Sequence, residues 1–169
     1  MPSGSPVVEV LAVMPPATLF AQFDTRAGGS TPAESLPVYD FDAATVEYMD
    51  YLCRLSEDYD GGGLTFTLPW SATSATTGDV IWGIGIRRIA DDAEDIDTSQ
   101  TYDYNNVTDT CANVSGEFSY PTIAFTNGAD MDSWAVGEMA IVRVRRNASD
   151  GSDTMTGDAE LVGVSGKET

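Results

Sequence analysis

Tyr59-Asp60-Gly61-Gly62-Gly63 is a turn signal, and Leu64-Thr65-Phe66-Thr67-Leu68-Pro69-Trp70 follows it directly. Leu64, Phe66, Leu68 and Trp70 fall on one side at period two, with Thr65, Thr67 and Pro69 on the other. This alternation predicts a half-buried β-strand. A small polar run leads through Gly78-Asp79 to a second strand over residues 80–89, where Val80, Trp82, Ile84 and Ile86 share a face and Gly83 and Gly85 lie opposite. The two segments read as a central hairpin. Strands that bury one face need a second layer over it, and the rest of the chain is expected to supply one.

Outward from this centre, residues 36–41 read as a short strand interrupted early by Pro37. Over residues 43–55 two periods compete. Val46, Met49, Leu52 and Cys53 would make a helical stripe, while Met49, Tyr51, Cys53 and Leu55 alternate; the density of Tyr, Val and Leu favours strand. Residues 91–97 form an acidic surface loop, and 102–111 carry β-tending residues with Asn105-Asn106 as a turn. Another strand spans 118–125, with Pro121 marking an edge or bulge. Residues 131–138 read as a loop or one helical turn. Strand 139–146 is then expected to pair with 160–164 across a loop rich in turn residues.

Some eight short strands and no long helix predict an all-β, antiparallel β-sandwich, jelly-roll-like. Residues 1–35 stand apart. Pro2, Pro6, Pro15, Pro16, Pro32 and Gly28-Gly29 exclude a long helix, yet Val7, Val8, Val10, Leu11, Leu19, Phe20 and Phe23 need cover. This segment is either an edge strand and loop packed on its own domain or an extended N-terminal arm reaching a neighbouring subunit. The predicted organisation is an arm or edge segment over 1–35 and a sandwich domain over 36–169. Val7, Val8, Val10, Leu11, Phe20 and Phe23 are the candidate partner-contact residues.

Composition narrows the function classes. A chain of 169 residues with 42% hydrophobic residues fits one folded domain. With 27 acidic against 8 basic residues, the net charge of -19 repels nucleic-acid phosphates and anionic lipid surfaces. No run approaches the ~18 consecutive apolar residues of a membrane span, and residues 7–14, with no preceding Lys or Arg, do not read as a secretory signal. Nucleic acid and membrane are therefore not expected partners. Histidine is absent, which removes the commonest general base and transition-metal ligand. Cys53 and Cys111 have no metal-ligand spacing and are read as two free thiols in a reducing cytoplasm, with a disulfide between them as the alternative.

Catalytic constellations do not emerge. A serine nucleophile would need a base, and the sole lysine, Lys167, lies near the C-terminus. Carboxylates are too plentiful for any one pair to mark a glycosidase, which holds two acids across a cleft. Asp150, Asp153 and Asp158, or Asp91, Asp92, Asp95 and Asp97, would suit calcium, but neither run has EF-hand spacing. Trp70, Trp82 and Trp134 could form a sugar-stacking platform, though two alternate in phase with aliphatic residues as core residues do. Arg143, Arg145 and Arg146 are expected to pair with carboxylates. No enzyme activity, cofactor or resident metal is predicted.

One ordered set of motifs carries a resemblance. Tyr59-Asp60-Gly61-Gly62-Gly63-Leu64, Gly78-Asp79-Val80-Ile81-Trp82-Gly83, Ile123-Ala124-Phe125-Thr126-Asn127-Gly128, Arg146-Asn147-Ala148-Ser149-Asp150 and Asp153-Thr154-Met155-Thr156-Gly157-Asp158-Ala159 occur in that order. From about residue 17 onward the chain resembles small structural virion proteins of tailed phages. The resemblance implies a capsid decoration (cement) protein, a homotrimer bound to the major capsid protein on the outer head surface and assembled in the host bacterial cytoplasm. A strongly acidic sandwich suits solubility at high copy number, and an apolar N-terminal segment could add a strand to a neighbour's sheet. The alternative is a tail or fibre module binding host surface glycan. It predicts solvent-exposed aromatic side chains in a concave face, whereas decoration predicts buried Trp residues and a flat docking base.

Overall fold

The alternation read at residues 80–89 becomes the longest strand of a large sheet. The computed structural model describes residues 5–99 and 101–169. In chain order its strands are β1 (Pro6–Met14), β2 (Gln22–Ala27), β3 (Ser35–Phe41), β4 (Glu47–Leu55), β5 (Leu64–Thr67), β6 (Trp70–Ala72), β7 (Asp79–Ile89), β8 (Tyr104–Thr110), β9 (Thr122–Phe125), β10 (Met139–Arg146), β11 (Ala159–Leu161) and β12 (Ser165–Glu168). One 3-10 turn, Ala129–Met131, precedes β10. Among the described residues no helix is long and apolar enough to cross a membrane.

The strands form two antiparallel sheets, an eight-stranded one ordered β8-β7-β10-β4-β1-β12-β5-β9 and a four-stranded one ordered β2-β3-β11-β6. The large sheet curls until its edges approach: Asn105 Nδ2 on β8 donates to the Ala124 carbonyl on β9 at 2.9 Å. The all-β antiparallel sandwich is as the sequence predicts. Period two sets its core. Met49, Tyr51, Cys53 and Leu55 of β4, Val80, Trp82, Ile84 and Ile86 of β7, and Ala140, Val142 and Val144 of β10 all point inward and are buried. Trp82 joins the sheets, meeting Phe41 of β3 edge-to-face at 5.1 Å and Trp70 of β6 at 5.8 Å between centroids. Each such buried side chain contributes roughly 2–3 kcal/mol through removal from water.

Several pairings differ from the sequence reading. Leu64–Trp70 is not one strand: Pro69 has no N–H to continue a ladder, and the chain passes there from β5 in the large sheet to β6 in the small one. The expected central hairpin does not form, because β5 pairs with β9 and β12 while β7 pairs with β8 and β10. Nor do β10 and the 160–164 segment pair, since β11 sits in the other sheet between β3 and β6. Asn105-Asn106 is no turn. Both residues lie in register within β8, opposite Ile84 and Gly83.

The first residues are also placed differently. β1 lies inside the large sheet, bonded to β4 on one side and β12 on the other, instead of at an edge or on an arm. Val7 is buried in the core of its own domain and Val8 and Val13 pack partly against it, while Val10, Leu11 and Met14 stay exposed. Only β2, within the same 1–35 segment, is an edge strand. Lys167, near the C-terminus, is held in β12 opposite Thr65 on one side and Pro6 on the other.

Candidate functional site

Strand register brings side chains from five separate segments onto the outer face of the large sheet. One row across it runs Tyr104 (β8), Gly85 (β7), Arg143 (β10), Asp50 (β4) and Met14 (β1). The next runs Asn106, Gly83, Arg145 and Tyr48. Residues paired this way point to the same side. The two glycines leave a trough in β7, and larger side chains lie down into it. A Cβ on Gly85 would stand 2.9 Å from Tyr102 Cβ, and one on Gly83 would stand 2.6 Å from Asn106 Oδ1 and 3.0 Å from Arg145 Nε.

The result is a platform of tyrosines and arginines. Arg143 is held by Asp50 in a bidentate pair, Nε to Oδ1 at 2.6 Å and Nη2 to Oδ2 at 2.7 Å. Its guanidinium lies 4.5 Å from the Tyr102 ring centroid and 5.6 Å from that of Tyr48. Arg145 stacks on Tyr104 at 3.8 Å. Tyr102 and Tyr104 stand 6.1 Å apart with planes inclined by 34°. Cation–π contacts of this kind are each worth about 0.5–2 kcal/mol, so the platform is stiff before any ligand arrives.

Its electrostatics are set by burial and by the two cations. Partial burial pushes the Tyr104 hydroxyl up to about 12, with Arg143 and Arg145 opposing that rise. Burial likewise raises Tyr102. Both rings stay protonated and can donate hydrogen bonds at neutral pH. The hydrogen bonds to Asp50 hold Arg143 charged. Among the described residues no group of three or more His, Cys, Asp or Glu side chains is arranged to hold a metal ion. Asp153, from the calcium candidates, is engaged by Arg146 instead.

The predicted contact residues do not come together. Val7 is buried in the core and Val8 is half-buried, so neither offers a free surface. Val10 and Leu11 are exposed at a bulge in β1, where the register with β4 shifts. Phe20 bridges to Tyr48, and Phe23 sits exposed on β2 in the other sheet. All three tryptophans are buried, as the phase of Trp70 and Trp82 predicts. Of the three clustered arginines, Arg143 and Arg146 pair with carboxylates as expected and Arg145 does not. Sequence reasoning missed the platform, although the outward Gly83 and Gly85 were its visible signal.

Two open grooves lie away from the platform. One of about 340 Å³ is nearly all apolar and is lined by Gly63, Ala124, Phe125, Thr126, Asn127 and Thr169. The other, about 510 Å³, lies between residues 89–92 and 136–139. Neither brings together the aromatic faces and fixed donors found on the platform.

No protein-family model matches the sequence, and no curated protein matches it. Among solved structures the chain is similar to the CBM22-1 xylan-binding domain of Paenibacillus barcinonensis Xyn10C, with a TM-score of 0.52, 6% identity, and coverage of 98% of this chain and 96% of that domain. It is also similar to the enzymatically active domain of bacteriophage CBA120 tailspike protein 4, with a TM-score of 0.45 and 8% identity, over 96% of this chain and 19% of that one. A third is the family 11 carbohydrate-binding module of Clostridium thermocellum, with a TM-score of 0.41 and 10% identity, over 97% of this chain and 96% of that module. At such identity the first likeness establishes a shared β-sandwich fold and nothing finer.

Proposed function

We propose that this protein is a non-catalytic β-sandwich module that binds glycan on the outer face of its large sheet. The observation that carries the reading is the platform itself: Tyr48, Tyr102 and Tyr104 interleaved with the guanidiniums of Arg143 and Arg145. Sugar rings present C–H faces that pack on aromatic surfaces and hydroxyls that need planar, fixed donors and acceptors. Arg145 of β10 and Asn106 of β8, which meet across Gly83 of β7, supply such groups beside the rings. A surface without deep walls suits an extended polymer. The shared fold with a xylan-binding domain supports the reading at the level of scaffold. The resemblance to tailed-phage virion proteins suggests the setting, a tail or fibre module that meets a host surface polysaccharide.

A screen of immobilised bacterial and plant polysaccharides against the protein and its Tyr48→Ala and Tyr104→Ala variants tests this. Binding of at least one polysaccharide by the parent, weakened about tenfold or more in each correctly folded variant, is the expected result. Equal binding by all three proteins, or by none, would overturn it. The second reading, capsid decoration, is favoured by a different feature: β2 is an edge strand with Phe23 66% exposed, which could pair with a neighbouring subunit. Copy number per virion separates the two, with values close to that of the capsid protein favouring decoration.

A further inference from the structure

In a chain with 27 acidic and only 8 basic residues, an arginine ordinarily finds a carboxylate. Arg26, Arg54, Arg88, Arg143 and Arg146 all do. Arg87, buried, spends Nη2 on the Asp95 carbonyl. Arg145 stands in ion-pair contact with no carboxylate among the described residues; its one hydrogen bond is from Nη2 to Asn106 Oδ1 at 3.3 Å. Asp50, the acid nearest in the platform rows, is engaged at both oxygens by Arg143. The platform therefore keeps one uncompensated positive charge on a molecule of net charge -19.

That charge is fixed in position. Gly83 gives Arg145 room to lie flat, Tyr104 stacks beneath its guanidinium, and Asn106 holds one end. Nε is buried without a partner, so the N–H groups left for a ligand are on Nη1 and Nη2. A planar pair of donors matches a carboxylate in bidentate fashion, and holding it ready lowers the entropy lost on binding. The geometry points to Arg145 as the reader of a carboxylate on a uronic acid, with neutral sugars of the same glycan lying on Tyr48 and Tyr102. Net charge sets the density of that acid. A polymer with a carboxylate on every sugar would be repelled by the surrounding acidic surface, whereas one isolated carboxylate meets Arg145 within a screening length of about 8–10 Å. The ligand class is thus a largely neutral polysaccharide carrying occasional uronic acids.

This assignment rests on the platform being a glycan site, and the test separates the two. The probes are oligosaccharides bearing a single uronic acid on a neutral backbone, each with its carboxyl-reduced counterpart, together with polygalacturonate, followed by titration calorimetry. We expect at least one acidic oligosaccharide to bind tenfold or more tightly than its reduced form. Arg145→Gln should bring that ratio near one, Arg145→Lys should restore part of it, and Tyr48→Ala should weaken both forms while keeping the ratio. If reduced and acidic forms bind alike, the assignment of Arg145 fails and the glycan site stands. If neither form binds, both fail. Tightest binding of polygalacturonate would overturn the isolated-acid specificity.

Discussion

Arg146 and Asp153 form a bidentate ion pair from which water is excluded: Nη2 lies 2.8 Å from Oδ1 and Nε 3.1 Å from Oδ2, with both side chains fully buried. Arg146 also donates to the carbonyls of Gly157 at 2.7 Å and Met155 at 2.8 Å, and Asp153 Oδ2 accepts from the Ile81 N–H at 3.0 Å. The pair ties the loop after β10 to β7 and to the core.

Removing one partner leaves the other charge buried and uncompensated. Asp153→Ala is expected to destabilise the fold by about 3–5 kcal/mol, read as a shift in the urea midpoint. The double change Arg146→Met with Asp153→Leu should cost less than Asp153→Ala alone. A single-variant loss below about 1 kcal/mol would show that the loop does not depend on this pair.

Asp40 on β3 faces Glu160 on β11, and its Oδ1 is buried with no partner. Burial first, then the charges of Glu160, Asp24 and Asp158, raise its pKa from 3.8 to about 6. A carboxyl raised in the folded state favours the fold while protonated, so its stabilisation is full below pH ~4 and is lost as pH climbs through about 6. Asp40→Asn should therefore stabilise the protein at pH 8 by about 1 kcal/mol, allowing for solvent screening, and change little at pH 3.5. Thermal melts at the two pH values decide it. Equal effects at both would remove the linkage.

Gly83→Ala tests the trough without touching an aromatic ring. The nearest atoms to the added methyl all belong to side chains, Asn106 Oδ1 at 2.6 Å and Arg145 Nε and Cγ at 3.0 and 3.2 Å, so the fold should survive at a cost of about 1–2 kcal/mol. Arg145 would be lifted from Tyr104. The near-ultraviolet circular dichroism of the tyrosines should change, and glycan affinity should fall about tenfold, equivalent to 1.4 kcal/mol. An unchanged spectrum with unchanged affinity would mean that the trough does not position Arg145.

Both cysteines are free and buried. Burial pushes the Cys53 thiol up to about 12 and raises Cys111 as well. Neither should react with a disulfide reagent at pH 8 in the folded protein, and both should react in denaturant. Rapid labelling of Cys53 under native conditions would contradict the core packing around β4.

Period-two alternation was legible in β4, β5 and β10, where one face is buried, and in the large apolar residues of β7, and the burial of Trp70 and Trp82 followed from their phase. Pairing was not legible. It joins residues as distant as Pro6 and Lys167, and nothing local encodes which strand edge meets which. Pro69 signalled a break in the ladder, but not that the chain changes sheets there. Asn105-Asn106 carries turn composition, yet β7 provides a long ladder that holds both residues extended. The platform was hidden for the same reason. Gly83 and Gly85 showed an outward gap, while the rings and cations that fill it arrive from residues 48, 102, 104, 143 and 145.

The pairing of β1 with β12 sets Pro6 opposite Lys167, and the Glu168 N–H donates to the Ser5 carbonyl at 3.1 Å. The last strand thus returns to lie beside the first described one. A longer polypeptide could enter and leave such a sandwich through a single doorway, carrying it as a cassette spliced into a surface turn while every other strand kept its neighbours. By the same geometry, Ser5 and Glu168 could be joined by a short linker and the ring reopened in the exposed 91–97 loop, giving a permuted protein with the same sheets.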